Sequence, residues 1–239
     1  MTAIISMWSG PRNISTTMMR SFGARRDMAV LDEPFYGSYL ARTGARHPYR
    51  EETLAAYPGT FEAVIDWIGR ARPQPALFLK HIAYHLPEGV SLSFLDGWRN
   101  FLLIRDPRAM VASFADRFDD VTPIVKSYEI ELAIHRHLTA RGHPCPVVDA
   151  ADVLDAPEDL IRALCAALGL SYDPAMLTWP SGPRPEDGPW ATHWYEAVWA
   201  SAGFKPPARK EIRLSKDLEA IAALAMPAYR ALADQRLSA

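Results

Sequence analysis

The sequence predicts an α/β fold of three layers, with a central parallel sheet of about five strands between helices and a C-terminal region of helices and loops. Short apolar runs alternate with amphipathic segments through residues 3–170. Such alternation is typical of parallel strands joined by right-handed helical crossovers. The run Asn100–Ile104 is apolar enough for a strand that is covered on both faces of the sheet. A length of 239 residues fits a single domain, 1–239.

The ends of the predicted strands locate the candidate site. Ligands of parallel sheets collect at the carboxyl ends of the strands. We therefore expect the loops that carry Arg12, Glu33, Lys80-His81 and Arg105 to share one rim. The predicted strands are Ala3–Trp8, Met28–Leu31, Ala76–Leu79, Asn100–Ile104 and Pro146–Val148.

The helices are predicted from apolar stripes and from end signals. Ile14, Met18 and Phe22 recur at helical spacing after the first strand. Asp106 can cap, and Pro107 can open, a helix after the fourth strand. The other predicted helices are Phe61–Arg70, Pro123 to about Ala140 behind Thr122, Pro157–Leu168 stopped by Gly169, and one or two helices in Leu214–Leu237 divided near Pro227.

Residues 172–210 interrupt this alternation. The stretch is rich in proline and glycine and holds Trp179, Trp190, Trp194 and Trp199. So many aromatic side chains favour an ordered segment over a solvated one. We interpret it as a lid or substrate loop within the domain, with a packed tail over the sheet edge as the alternative.

Composition excludes several classes of function. The net charge of −2 argues against a general nucleic-acid binder, and no apolar run is long enough to span a membrane. Cys145 and Cys165 are too few for a disulfide framework, so we expect a cytoplasmic protein. The sequence carries no signal for an oligomeric state. Neither a nucleic acid nor a membrane is therefore expected as a partner.

The stretch Ser9–Thr17 is the first candidate site. A strand feeds a turn with Gly10 and Pro11, and the turn feeds a helix that begins with hydroxyl side chains. The amides and the positive dipole end of such a helix attract a phosphate or sulfate. The residues predicted to bind this anion are Gly10, Pro11, Arg12, Asn13, Ile14, Ser15, Thr16 and Thr17.

This loop is not a Walker A motif. Counted from Gly10, the second glycine and the lysine of that motif would stand at residues 15 and 16, where the sequence has Ser15 and Thr16. Only Thr17 fits. The alternative interpretation is a turn capped by Asn13 or Ser15 that binds no ligand.

A second anion-binding segment follows the fourth strand. Arg105 stands where the strand becomes a loop, and Ser113 follows eight residues later, about two helical turns along. The two side chains could hold one phosphate from two sides, with Arg108 as a weaker candidate. Alone, the segment could also be a capped helix with a surface arginine.

Together the two segments resemble the P-loop-like sulfotransferase family that uses 3′-phosphoadenosine 5′-phosphosulfate. The resemblance is to a bacterial-type member of that family. In that family a strand–loop–helix with a basic residue and Ser/Thr binds the 5′-phosphosulfate, and Arg12, Ser15, Thr16 and Thr17 match it. The family's 3′-phosphate motif is an apolar strand, then an arginine, then a serine eight positions later. Arg105 and Ser113 match that spacing. The resemblance covers about residues 3–170.

The sequence departs from the family pattern in two places. Ile14 stands where the family has a glycine before the Ser/Thr pair. A β-branched residue is disfavoured at positive φ, so we expect another backbone path, with Gly10 supplying the freedom. No C-terminal Arg-Lys-Gly element is found. A basic cluster lies where it would be, formed by Lys205, Arg209, Lys210 and Arg213.

The resemblance implies the transfer of a sulfuryl group to a small-molecule acceptor. The cosubstrate would be 3′-phosphoadenosine 5′-phosphosulfate, without a metal, and Arg12 and Lys80 would stabilise the negative charge of the transferring group. Glu33, after the second strand, resembles the glutamate base of bacterial and carbohydrate members. His81 directly follows Lys80, whereas the cytosolic branch has its base two positions after the lysine. We therefore favour Glu33 over His81 as the catalytic base, with His85 behind them.

Two alternatives remain at this point. One is a small-molecule kinase on a P-loop scaffold, which the absent Walker lysine disfavours. The other is a catalytically inactive nucleotide-binding or sensing module, because a fold alone does not establish an activity.

Overall fold

A five-stranded parallel sheet forms the centre of the molecule in the computed structural model, which describes residues 3–71, 75–206 and 211–238. The strand order is β2-β3-β1-β4-β5. All neighbouring strands run parallel, so their carboxyl ends share one edge. The strands are β1 (Ala3–Ser9), β2 (Met28–Asp32), β3 (Ala76–Ile82), β4 (Arg99–Ile104) and β5 (Val147–Asp149).

Helices follow the strands and cover both faces of the sheet. Short 3₁₀ turns occupy Ala83–His85, Leu92–Gly97 and Pro174–Leu177. The α-helices are α1 (Ser15–Gly23), α2 (Tyr36–Thr43), α3 (Arg50–Ala56), α4 (Phe61–Arg70), α5 (Pro107–Ala115), α6 (Thr122–Ala140), α7 (Ala150–Asp155), α8 (Pro157–Ala167), α9 (Ala191–Trp194), α10 (Glu196–Trp199) and α11 (Lys216–Ala233).

The two faces of the sheet build two separate apolar layers, because successive strand residues point to opposite sides. On one face, Ile5 and Met7 of β1 pack in the same cluster as Phe22 of α1 and residues of α8. On the other, Trp8 packs in a cluster with residues of α4, α5, α6 and α11. The three-layer α/β/α fold predicted from the sequence is confirmed.

The predicted strands are all present; four of them extend one to three residues beyond the predicted carboxyl end, and β4 ends at Ile104 as predicted. The prediction of Phe61–Arg70 as a helix is confirmed, and the Asp106 carboxylate caps α5 by accepting from the amides of Arg108 and Ala109. Gly169 ends α8 with φ +64°. Of the one or two helices predicted in Leu214–Leu237, the structure has one, α11, which continues through Pro227 without a division and packs against α5 and α6.

Helices α2 and α3 were not predicted from the sequence. Glycine, serine and tyrosine in α2 have weak helix propensity. Gly37 is explained by packing, since a Cβ there would lie 2.6 Å from the Cβ of Tyr57 just after α3. Tertiary contact, and not local preference, holds this helical pair against the sheet.

Candidate active site

A cavity of about 370 Å³ opens at the carboxyl ends of the strands. Most of the residues predicted from the sequence line it, and two of them, Gly10 and His81, do not. The predicted residues in its wall are Pro11, Arg12, Asn13, Ile14, Ser15, Thr16, Thr17, Glu33, Lys80, Arg105 and Ser113.

The loop between β1 and α1 forms the floor of one end of this cavity. The Asn13 amide donates to the carbonyl of Leu103, which ties the loop to β4. Helix α1 begins at Ser15 with no side-chain cap and no acidic residue in its first turn. The capping by Asn13 or Ser15 that the alternative interpretation requires is therefore absent. Uncapped amides at a helix start, next to a cation, can bind an anion.

The backbone of this loop corrects the expectation for Ile14 and Gly10. Ile14 does adopt the left-handed conformation, with φ +31°, at the position before α1. Gly10 is not among the positive-φ residues. Close packing explains the glycine at residue 10, since a Cβ there would lie 2.8 Å from the Met110 sulfur. The loop therefore follows a left-handed path at residue 14 without a glycine there.

The second segment meets the first across the cavity. The Nε of Arg12 donates to the Oγ of Ser113 at 3.1 Å, and Nη1 of Arg105 donates to the carbonyl of Arg12. The Tyr128 hydroxyl donates to the carbonyl of Arg105 and holds the end of β4. Two stretches that lie about a hundred residues apart in sequence thus form one surface.

Neither arginine of the two segments forms an ion pair with another described residue, although Asp116 acts on Arg12, and Asp106 and Asp149 on Arg105, at longer range. Within the described part of the chain, neither Arg12 nor Arg105 has a carboxylate within 4 Å. Burial lowers the pKa of both guanidinium groups, and the positive charges of Arg117 and Arg105 lower that of Arg12 further. Arginine nevertheless stays protonated. Two desolvated cations without an ion-pair partner in the described residues favour a bound anion.

Lys80 is the centre of a buried cluster at the other end. Asp32 of β2 and Lys80 of β3 are register partners, which places their side chains on the same face. The Lys80 Nζ lies 2.9 Å from Asp32 Oδ1 and 2.6 Å from Glu33 Oε1. Burial disfavours the charged lysine, but the two carboxylates outweigh it and raise the Lys80 pKa.

Glu33 is a buried carboxylate with a raised pKa. Burial is the main cause that raises its pKa, Asp32 raises it further, and Lys80 acts in the opposite direction. A base whose pKa lies closer to neutrality transfers protons more effectively. The Nδ1 of His85 lies 3.7 Å from Glu33 Oε2, and both ring nitrogens of His85 lack a hydrogen-bond partner among the described residues.

His81 lies outside the cavity, contrary to the expectation that it stands near the reacting atoms. Adjacent strand residues alternate in direction, so His81 points away from the face that carries Lys80. Its ring stacks on Trp8 at 4.1 Å and packs near Phe35. Burial lowers its pKa to about 3. The geometry does not favour His81 as a base.

Further aromatic residues line the rest of the cavity, and of these only His85, Trp190 and Trp194 were connected with the site from the sequence. The hydroxyl of Tyr36 lies 2.7 Å from Nδ1 of His47, and Phe118 stacks on Trp194 at 5.2 Å. Burial lowers the pKa of His47 and raises that of Tyr36, so both stay uncharged near neutrality. The remaining rings in this part of the wall are Tyr84, His85, Phe114, Trp190 and Tyr195.

The segment 172–210 is ordered over its described part and contributes to this wall. Trp190 is buried and Tyr195 reaches Lys80. The four tryptophans of the segment are the sequence feature that predicted an ordered structure here. Asp187 anchors the segment to Arg20 of α1 at 2.7 Å and accepts from the Trp199 indole at 2.9 Å.

The other basic residues predicted from the sequence differ in their distance from the cavity. Lys205 lines the cavity, whereas Arg213 pairs with Glu211 at the surface. Arg209 and Lys210 lie outside the described residues. Arg108 is paired with Glu219 at 2.6 Å and is absent from the cavity wall.

Backbone strain concentrates at the same place. Four non-glycine residues in the described chain have positive φ, namely Arg12, Ile14, Glu33 and Tyr49. The first three line the cavity. Such conformations cost roughly 1–3 kcal/mol each and cluster at functional sites.

Residues 3–71, 75–206 and 211–238 contain no group of three or more His, Cys, Asp or Glu side chains that could hold a metal ion. In the same residues, no helix has both the length and the apolar character needed to cross a bilayer.

Comparison with known proteins supports the resemblance. A family model described as a sulfotransferase domain matches residues 2–236. Branched-chain-amino-acid aminotransferase-like proteins 2 and 1 of Arabidopsis thaliana are 36% and 35% identical over 209 and 205 residues. Each alignment covers 85% of this chain. The chain spans only 36% and 37% of the length of those two relatives.

Two solved structures share the fold. A sulfotransferase from Alicyclobacillus acidocaldarius matches with a TM-score of 0.58 at 14% identity, over 99% of this chain and 98% of that one. A sulfotransferase domain from the curacin biosynthetic pathway matches with a TM-score of 0.54 at 11% identity, over 93% and 97% of the two chains.

Proposed function

The chain belongs to the sulfotransferase family, and from that premise we propose that it moves a sulfuryl group from 3′-phosphoadenosine 5′-phosphosulfate to a hydroxyl or amine of a small-molecule acceptor. The observation that carries the proposal is the meeting of Arg12 and Arg105 across one cavity, without carboxylate partners in the described chain, beside the Glu33–Lys80 pair.

The proposed donor site divides the nucleotide between the two segments. Arg12, the hydroxyls of Ser15, Thr16 and Thr17, and the first amides of α1 take the 5′-phosphosulfate. Arg105 and Ser113 take the 3′-phosphate, with Lys205 as a further cation in the same wall. Arginine forks suit phosphate because they can donate two parallel hydrogen bonds.

In the proposed reaction, the sulfur–oxygen bond to the 5′-phosphate breaks as a new bond forms from sulfur to the acceptor oxygen or nitrogen. Adenosine 3′,5′-bisphosphate leaves with the bonding electrons. Glu33 takes the acceptor proton, and Lys80 and Arg12 stabilise the charge on the leaving oxygen and the transferring group. These residues require no metal for this chemistry.

The proposed acceptor is uncharged and presents a ring or an apolar face. Its part of the cavity is lined by aromatic rings, among them Tyr36, His47 and Trp194, whose titratable members stay neutral. Rings of this kind stack on sugars or on aromatic metabolites. A cytoplasmic location remains a prediction, and both cysteines are free and buried.

A transfer assay with donor labelled in the sulfate group tests the proposal. Purified protein is incubated with the donor and a panel of phenols, sugars and amines, and labelled product and released bisphosphate are quantified. We expect sulfated product from at least one acceptor, with Glu33→Gln binding nucleotide normally and losing transfer. Transfer from ATP instead, or bisphosphate binding with no transfer to any acceptor, would contradict the proposal.

A further inference from the structure

The Lys80 ammonium has no free hydrogen in this structure. A lysine ammonium carries three N–H donors. Its Nζ donates to Asp32 Oδ1 at 2.9 Å, to Glu33 Oε1 at 2.6 Å and to the Tyr195 hydroxyl at 2.6 Å. The side chain is 1% exposed, so water does not compete for these donors. A cation that must point a hydrogen at a leaving oxygen therefore has to release one of three partners.

The hydrogen bonds of Tyr195 have a single consistent arrangement. Its hydroxyl oxygen can donate one hydrogen and accept two. The Lys80 ammonium at 2.6 Å and the Trp190 indole at 3.1 Å only donate, so the hydroxyl accepts from both. Its own hydrogen goes to Asp32 Oδ2 at 2.7 Å. All three capacities are filled, so Tyr195 has no capacity left to accept or deliver a proton in the reaction.

Asp32 also holds this arrangement, through hydrogen bonds to both of its carboxylate oxygens. It accepts from Lys80, from Tyr195 and from the Gly188 amide at 3.3 Å, and it is buried. Glu33 differs, because its other carboxylate oxygen has only His85 at 3.7 Å and its side chain is 10% exposed. Glu33 is therefore the partner that Lys80 can release with the fewest other hydrogen bonds of the cluster disturbed.

We propose that Tyr195, held by Asp32, is a positioning residue that fixes two hydrogens of the Lys80 ammonium and leaves the third to exchange between Glu33 and the bridging oxygen of the donor. This inference rests on the proposed function. The exchange frees Glu33 as the acceptor's base at the moment when Lys80 turns to the leaving oxygen. The segment at 188–195 thus completes the reaction centre from a region far along the chain.

The test uses Tyr195→Phe with Tyr229→Phe as the matched control. Tyr229 also donates its hydroxyl to a buried aspartate, Asp149 at 2.9 Å, but does not line the cavity. We expect Tyr195→Phe to lower kcat by roughly ten- to a hundredfold, the loss expected for a hydrogen bond to a charged group. The KM for the donor and the Kd for adenosine 3′,5′-bisphosphate stay at their wild-type values, as do all three quantities in Tyr229→Phe.

A second measurement does not depend on turnover. In a sample with ¹⁵N-labelled lysine, the Lys80 ammonium hydrogens are expected to exchange slowly with water, to exchange faster in Tyr195→Phe and to be unchanged in Tyr229→Phe. An unchanged kcat, or unchanged exchange, in Tyr195→Phe overturns the inference, as does a parallel loss of kcat and nucleotide binding. Absence of transfer in the wild-type protein contradicts the proposed function instead, and the exchange measurement then still decides whether Tyr195 positions Lys80.

Discussion

Arg12 and Ser113 are joined by a hydrogen bond of 3.1 Å between Nε and Oγ, although a hundred residues separate them in the chain. Arg12 belongs to the loop after β1 and Ser113 to α5. Each was predicted as an anion ligand from a different motif. Their contact means that the two segments line one continuous surface, as two ends of a single nucleotide would require.

Removal of either cavity arginine is expected to weaken nucleotide binding. Arg12→Ala and Arg105→Ala each lose charge-assisted hydrogen bonds, so the affinity for adenosine 3′,5′-bisphosphate falls roughly ten- to a hundredfold. Titration calorimetry measures this change. Arg108→Ala is the matched control, because Arg108 follows the same strand but pairs with Glu219 and does not line the cavity. Equal effects of Arg105→Ala and Arg108→Ala would refute the assignment.

The pH dependence of transfer is expected to report on Glu33. A base acts when ionised, so kcat/KM rises with pH through the Glu33 pKa, which burial and the Asp32 charge raise above its ordinary value. Asp32→Asn removes one of these causes and should shift this rise to lower pH. An unmoved acid limb in Asp32→Asn would show that another group is titrating.

His81→Phe is expected to keep transfer activity. The ring lies against Trp8 on the opposite face of the sheet, and neither of its nitrogens has a hydrogen-bond partner in the described chain. A buried apolar ring of similar size changes the free energy of unfolding by less than about 1.5 kcal/mol. Steady-state kinetics with thermal denaturation checks both quantities. Loss of kcat in a stably folded His81→Phe would return His81 to the list of candidate bases.

Glu131 of α6 is expected to make the protein less stable as pH rises. Its side chain is fully buried, and burial raises its pKa well above the ordinary 4.5. The folded state therefore binds this proton more tightly than the unfolded state. The stabilisation is complete below the unfolded pKa and is lost as pH rises through the folded pKa, by at most about 1.4 kcal/mol per pH unit.

Glu131→Gln should remove that slope, which denaturant unfolding at a series of pH values measures. The exposed Glu129 on the same helix supplies the control, since Glu129→Gln should leave the slope unchanged. A slope that persists in Glu131→Gln would assign the titration to another group.

The local patterns predicted the sheet and located the two candidate segments that line the cavity, for a physical reason. Buried parallel strands are written in consecutive apolar residues, and the loops after them follow directly in the chain. Arg12, Glu33 and Arg105 could be placed on one rim because the carboxyl ends of parallel strands share an edge. From the sequence, Asp32 and Lys80 were only charged residues at the ends of two predicted strands. Their pairing across β2 and β3 is seen in the structure alone.

The rest of the site depends on contacts that the chain makes far from its own neighbourhood. Tyr195 reaches Lys80 across 115 residues, and no local pattern distinguishes it from the other aromatic residues of its segment. The side of the sheet that His81 occupies follows from strand alternation once β3 is known to extend to Ile82. The left-handed backbone of Ile14 could not be predicted locally, because a β-branched residue disfavours a positive φ.

A crystal structure with adenosine 3′,5′-bisphosphate tests the central claim most directly. The account predicts one nucleotide in the cavity, with its 3′-phosphate on Arg105 and Ser113 and its 5′-phosphate on Arg12 and the first turn of α1. A nucleotide that contacts only one of the two arginines, or that binds outside this cavity, would contradict it.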